Sequence, residues 1–242
     1  MTEAEWLVCE DLSRMTEQLE ALTRAPRPGR RAPTSHQNLL QWNRKSYLHA
    51  AACWRRIFHL IEAPGREAVE AYERLIEGHG TWEEVGAARQ RVIAACACDE
   101  ENPCCQAIIN CAAASEAVGC AAAGRTRPPD FDPFGDDADR SRVENFAYHG
   151  ARAAEEAAQC ALFREVFGNP FRSATFSPDW RTSTAVALAL QMYESREFGA
   201  MPILGDALQD AGCENADVLN HCRAPGVHVR GCWVVDTVLD KG

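Results

Sequence analysis

Residues Cys213 to Trp233, CENADVLNHCRAPGVHVRGCW, bring Cys213, His221, Cys222, His228 and Cys232 into one short segment. Thiolate and imidazole are ligands of borderline-soft metals such as zinc, and an imidazole that lowers a cysteine pKa makes a nucleophile. His228 and Cys232 stand at i and i+4, which on a helix puts both on one face, as in the second half of many zinc modules. Cys213 and His221 supply the other two ligands of a four-coordinate site, with Cys222 as substitute for either. Two features oppose zinc. Cys213 and His221 are further apart than the compact pairs of zinc knuckles, and Gly231 weakens a helix carrying the second pair.

The same residues allow a thiol enzyme, with Cys232 beside His228 or His221, Asp236 as orienting acid, and Arg223 or Arg230 on an anionic substrate. The third reading needs no chemistry: two short helices fold about the Ala224 to Gly226 turn and bury their cysteines. Spacing ranks this core element first, zinc second through His228 and Cys232, and thiol catalysis third. The chain has no G-x-S-x-G, P-loop, H-E-x-x-H or dinucleotide fingerprint.

The chain holds 12 cysteines, several in the middle stretch AACACDEENPCCQAIINC. Inward rows of thiolates that bind copper need cysteines on one helix face. Here Cys104 and Cys111 share a face, Cys120 lies nearly opposite Cys111, and Cys96 and Cys98 diverge. Small buried residues that let Ala-rich helices approach are the better explanation. The pairs CAC and CC are not the C-x-x-C of redox proteins, although vicinal Cys104 and Cys105 are open to oxidation.

Plentiful alanine and few β-branched residues favour helix. The expectation is an all-α fold, an irregular multi-helix bundle of about seven to nine helices with short C-terminal helices. Capping boxes at Thr2/Glu5, Thr81/Glu84 and Ser141/Glu144 mark helix starts. One long helix is expected over 36–62, with Trp54, Ile57, Phe58 and Ile61 on its core face. Pro103 breaks the Ala/Cys tract near DEENP, and Gly124 stops it. Ser177 and Pro178 form an N-cap and first-turn pair.

The stretch RTRPPDFDPFGDDADR is the strongest candidate for a loop or boundary. We therefore expect a single domain over 1–242, with any subdivision at 125–140, separating 1–124 from 141–242. As a calcium loop it offers Asp130, Asp132 and Gly135, but Phe134 and Ser141 stand where ligands belong.

A formal net charge of −10 opposes non-specific nucleic-acid binding, which needs clustered cations facing phosphates. RAPRPGRRAP, Arg24 to Pro33, is a local basic exception that reads as a solvated linker. No secretory leader and no apolar run of membrane-spanning length occur, so a cytoplasmic protein with reduced thiols is expected.

The opening MTEAEWL, the helix CWRRIFHLI, the junction FGNPFR and the ending PILGDALQDAGCENADVLNHCRAPGVHVRGCWVVDTVL together resemble a family of paralogous bacterial proteins. That family has an Ala-rich helical middle of variable length between these ends. The resemblance implies a helical fold and no activity, and the Cys-rich middle departs from the family's Ala/Trp-type repeats.

The reading as a whole is a non-catalytic cytosolic binding or interaction protein with protein partners, no nucleic acid and no membrane. Phe171, Phe176 and Trp180 are candidates for a partner surface. The alternatives are zinc held by Cys213, His221, His228 and Cys232, with Cys222 in reserve, and a cysteine-dependent enzyme.

Overall fold

The computed structural model describes residues 1–24, 35–96, 138–172 and 175–241. The protein is all-α, with no strand among the described residues. Ten α-helices are described, eight of them of seven residues or more. They are α1 (Glu3–Val8), α2 (Leu12–Arg24), α3 (Ser35–Arg56), α4 (Ala63–Ile76), α5 (Trp82–Cys96), α6 (Ala138–Phe167), α7 (Ser183–Ser195), α8 (Met201–Asp210), α9 (Ala216–Arg223) and α10 (Trp233–Val238). The two shorter ones are the six-residue end helices α1 and α10, the latter among the short C-terminal helices expected from sequence. No described helix is long and apolar enough to cross a membrane.

The chain forms two compact units. One comprises Met1–Cys9, Ser13–His49 and Ala161–Gly242, the other Glu10–Leu12 and Ala50–Cys160. Residues 125–137, within the 125–140 boundary that composition suggests, lie outside the described residues. So do the DEENP break, Gly124, the calcium-like residues Asp130, Asp132, Phe134 and Gly135, the basic linker from Ala25 onward, and Cys98, Cys104, Cys105, Cys111 and Cys120.

In the second unit, α4 and α5 form a hairpin that packs Ala68 and Ala71 against Ala88 and Val92. Alanine on both sides lets the helices approach closely. The Thr81 capping box opens α5: Glu84 N donates to Thr81 Oγ1 at 3.2 Å and Thr81 N to Glu84 Oε2 at 3.2 Å. Arg55 grips buried Glu73 through Nε (3.0 Å) and Nη2 (2.6 Å), and Arg56 grips Glu155. Trp54 and Ile57 are buried as the periodicity predicts, but Phe58 and Ile61 are only half-buried. The expected 36–62 helix ends at Arg56 and a 3-10 turn follows at Phe58–Leu60. Pro64 sits in the first turn of α4 and Glu62 is extended (φ −69°, ψ 165°), so a new helix starts where the expected one would still be running.

In the first unit, α1 is opened by the Thr2 capping box and buries Trp6 completely, against Phe163 and Phe171. Arg164 donates to the carbonyls of Trp6 (3.1 Å) and Cys9 (2.9 Å), satisfying acceptors at the end of that short helix. A six-residue helix is unstable alone, so this docking holds it. The C-terminal helices build the main core: α8 packs on α7 and α9, and α10 on α7 and α9. Met192, Leu204, Leu208, Val218 and Val234 are at most 1% exposed there. Phe176 and Trp180, offered by the sequence as partner surface, pack against this core, and Phe171 packs on Trp6. Ser177 caps the 3-10 turn Pro178–Trp180, while Thr182 caps α7. The third capping pair, Ser141/Glu144, falls inside α6, which begins at Ala138.

Candidate metal centre

Glu165, His221, His228 and Cys232 each offer one ligand atom, and all four atoms lie within 4.8 Å of one another. Glu165 and Cys232 are buried, His221 and His228 half-buried, and the group belongs to the first unit. It could hold a metal ion. Four-coordinate zinc, with bonds of about 2.0–2.3 Å, spaces tetrahedral ligand atoms about 3.3–3.8 Å apart. His221 Nε2 lies 3.2 Å from Cys232 Sγ and 3.3 Å from Glu165 Oε2.

Each side chain is placed by a distinct local device. Glu165 projects from the last turn of α6, which Gly168 ends at φ +70°, its N–H donating to the Arg164 carbonyl at 2.8 Å. His221 rides on α9, started by Asn215, whose side chain accepts from the Asp217 and Val218 amides. His228 lies in the irregular segment between α9 and α10, and Cys232 is the N-cap of α10. The i, i+4 spacing of His228 and Cys232 therefore does not act through a helix face. A turn does the work instead: Cys232 N donates to the Val229 carbonyl at 2.9 Å, and Gly231 takes φ +93°.

A Cβ on Gly231 would also meet Leu48 Cδ1 at 3.0 Å and Leu48 Cβ at 3.1 Å. Gly231→Ala is accordingly expected to cost about 2 kcal/mol in urea unfolding, from left-handed backbone strain and the clash together. A loss below roughly 0.5 kcal/mol would contradict this turn geometry.

The polar contacts converge on Glu165. His228 Nδ1 is 2.9 Å from Glu165 Oε1, His221 Nε2 faces Oε2, and the Cys232 thiol also hydrogen-bonds to this carboxylate. Burial alone would raise the Glu165 pKa, but hydrogen bonds from His221 and His228 outweigh it and bring it down to about 2. Burial drives the Cys232 thiol well above its ordinary range, and the Glu165 charge adds to that. An activated cysteine nucleophile needs the opposite shift.

The depressed Glu165 pKa gives a pH signature for protein stripped of metal. The group is held lower in the folded chain than in the unfolded one, so its contribution is complete above about pH 4.5 and is lost as pH falls towards 2. Roughly 3 kcal/mol should disappear over that window. Urea unfolding of wild type and Glu165→Gln at pH 6 and pH 3 checks it: the gap between them should narrow at low pH, and a constant gap would refute the assignment.

Of the ligands proposed from sequence, the fold brings together His221, His228 and Cys232. Cys213 is not a member of the group: it is 1% exposed in the C-terminal core, with Cys222 as an electrostatic neighbour. Cys222, the reserve ligand, is also outside the group. Burial pushes its thiol up to about 12, and its Cβ lies where a Cβ on Gly205 would come within 2.9 Å, at the close approach of α8 and α9. Both behave as small core residues. Asp236, the proposed orienting acid, bonds to Arg44 Nη1 at 2.6 Å instead. Arg223 pairs with Asp206, and Arg230 caps carbonyls of Tyr193 and Glu194.

Glu165 is remote in sequence from the Cys/His cluster, so the spacing of that cluster does not point to it. One signal was available: it is a carboxylate inside the apolar run ALFREVFG, at the C-terminal end of a helix, where the dipole disfavours negative charge. Such a residue needs a cationic partner. No family model matches the chain, and no curated protein or solved structure matches it.

Proposed function

We propose that this protein is a non-catalytic helical binding protein that holds one zinc ion through Glu165, His221, His228 and Cys232. The observation that carries the reading is the convergence of one carboxylate, two imidazoles and one thiol within 4.8 Å, with the carboxylate and the thiol buried. The donor set suits zinc: thiolate and imidazole disfavour calcium and magnesium, and four protein ligands leave no open position for substrate. A closed site of this kind is structural. It ties the end of α6 to α9, to the loop after it and to the start of α10.

The site's chemistry also supports metal uptake in exchange for protons. Both histidines and the thiol present hydrogens to a single carboxylate, and a divalent cation can take their place, displacing the thiol proton outright. Buried Cys232, with its raised pKa, supports this role better than that of a thiol nucleophile.

The test is elemental analysis of protein expressed without a histidine tag in zinc-supplemented medium. About one zinc per chain is expected, and less than about 0.2 equivalents would overturn the proposal, since structural sites hold metal tightly.

A further inference from the structure

Trp233 lies against the centre without belonging to its ligand set. Its indole ring packs where a Cβ on Gly168 would be, 3.2 Å from that position, and its Nε1 is 3.2 Å from His221 Nδ1. An indole N–H only donates, so the direction of this bond is fixed and His221 Nδ1 must accept. Neutral His221 then carries its proton on Nε2, the nitrogen that faces Cys232 and Glu165. A metal at that nitrogen needs its lone pair. Metal-bound histidines ordinarily donate their remaining N–H to an acceptor, and here the remaining nitrogen meets another donor.

We infer that Trp233 is a positioning residue that sets the metal affinity of the centre by holding His221 in the tautomer that opposes coordination. This rests on the zinc reading above. Zinc at Nε2 moves the imidazole proton to Nδ1, which breaks the indole hydrogen bond and obliges Trp233 to turn away. Metal occupancy is thereby transmitted to the first residue of α10. Trp233 touches both Gly168, three residues beyond Glu165, and His221, so its displacement registers at two of the elements the site joins. The cost of that broken bond holds the ion about fivefold less tightly than a fully matched outer shell would.

The experiment is zinc titration of wild type and Trp233→Phe against a chromophoric chelator, with tryptophan emission read in parallel. Removing the donor should tighten zinc binding about fivefold, the worth of one neutral hydrogen bond. It should also abolish the zinc-dependent emission change seen in wild type. A merely structural tryptophan would leave affinity the same or weaken it, and either result overturns the inference. Long-range nitrogen-15 spectra of wild-type His221 give a check that needs no variant: the proton should sit on Nε2 before zinc and on Nδ1 after it. A proton on Nδ1 before zinc would overturn the inference equally. If wild type takes up no zinc, the metal reading falls and this inference with it; zinc uptake with unchanged affinity in the variant removes only the role of Trp233.

Discussion

Zinc at a thousandfold excess over its Kd should stabilise the metal-stripped protein by about 4 kcal/mol, because an ion that binds only the folded state adds its binding energy to folding. For a chain of this length, that corresponds to a rise in Tm of roughly 10 °C. The effect should depend on four side chains. Glu165→Gln, His221→Ala, His228→Ala and Cys232→Ser each remove a ligand atom from the group and should abolish most of the shift. Cys213→Ser and Cys222→Ser alter the core but leave those ligands in place, so their proteins should start less stable and still gain the full increment from zinc. Calorimetry of the six variants with and without zinc separates the two sets. Equal loss of the shift in Cys213→Ser and Cys232→Ser would refute the ligand assignment.

The second large effect concerns Arg44, which ties α3 to the C-terminal helices within the first unit. Its Nη1 donates to Asp236 Oδ2 at 2.6 Å and to the Lys241 carbonyl at 3.1 Å, while Nη2 donates to the Tyr193 hydroxyl at 2.7 Å. Asp236 is 1% exposed, so its charge depends on this guanidinium. Neighbouring Lys45 compensates incompletely, because burial pushes its ammonium pKa down even though Asp236 opposes that shift. Arg44→Met should therefore cost about 3–5 kcal/mol, the usual effect of stranding one member of a buried ion pair. Arg44→Met combined with Asp236→Leu should recover much of the loss, since the buried carboxylate that Arg44 neutralises is then gone. Urea unfolding of the two proteins decides it: a single variant within about 1 kcal/mol of wild type, or a double variant worse than the single, would contradict the pairing.

Some of this was legible in local sequence. The Thr2 and Thr81 capping boxes were readable because each is complete within four residues, and both form. The all-α class followed from alanine content, which acts residue by residue. The break after Arg56 was harder, because the apolar period runs on through Phe58 and Ile61 while Pro64 imposes a new helix start. The site divides in the same way. His221, His228 and Cys232 lie close in sequence and stand out as a cluster, but the i, i+4 spacing of His228 and Cys232 points to a helix face where a glycine turn brings them together. Cys213 looked equivalent to Cys232 by type and spacing. Packing separates them, sending Cys213 into the apolar core and bringing Glu165 in from α6. No periodicity encodes that exchange, because it depends on how helices far apart in the chain dock.

X-ray absorption at the zinc edge of the loaded protein reads the ligand set directly. One sulfur at about 2.3 Å and three nitrogen or oxygen atoms at about 2.0 Å are expected from Cys232, His221, His228 and Glu165. A shell with two sulfurs would bring Cys213 or Cys222 back as a ligand, and a shell with none would remove Cys232; either would contradict the centre described here.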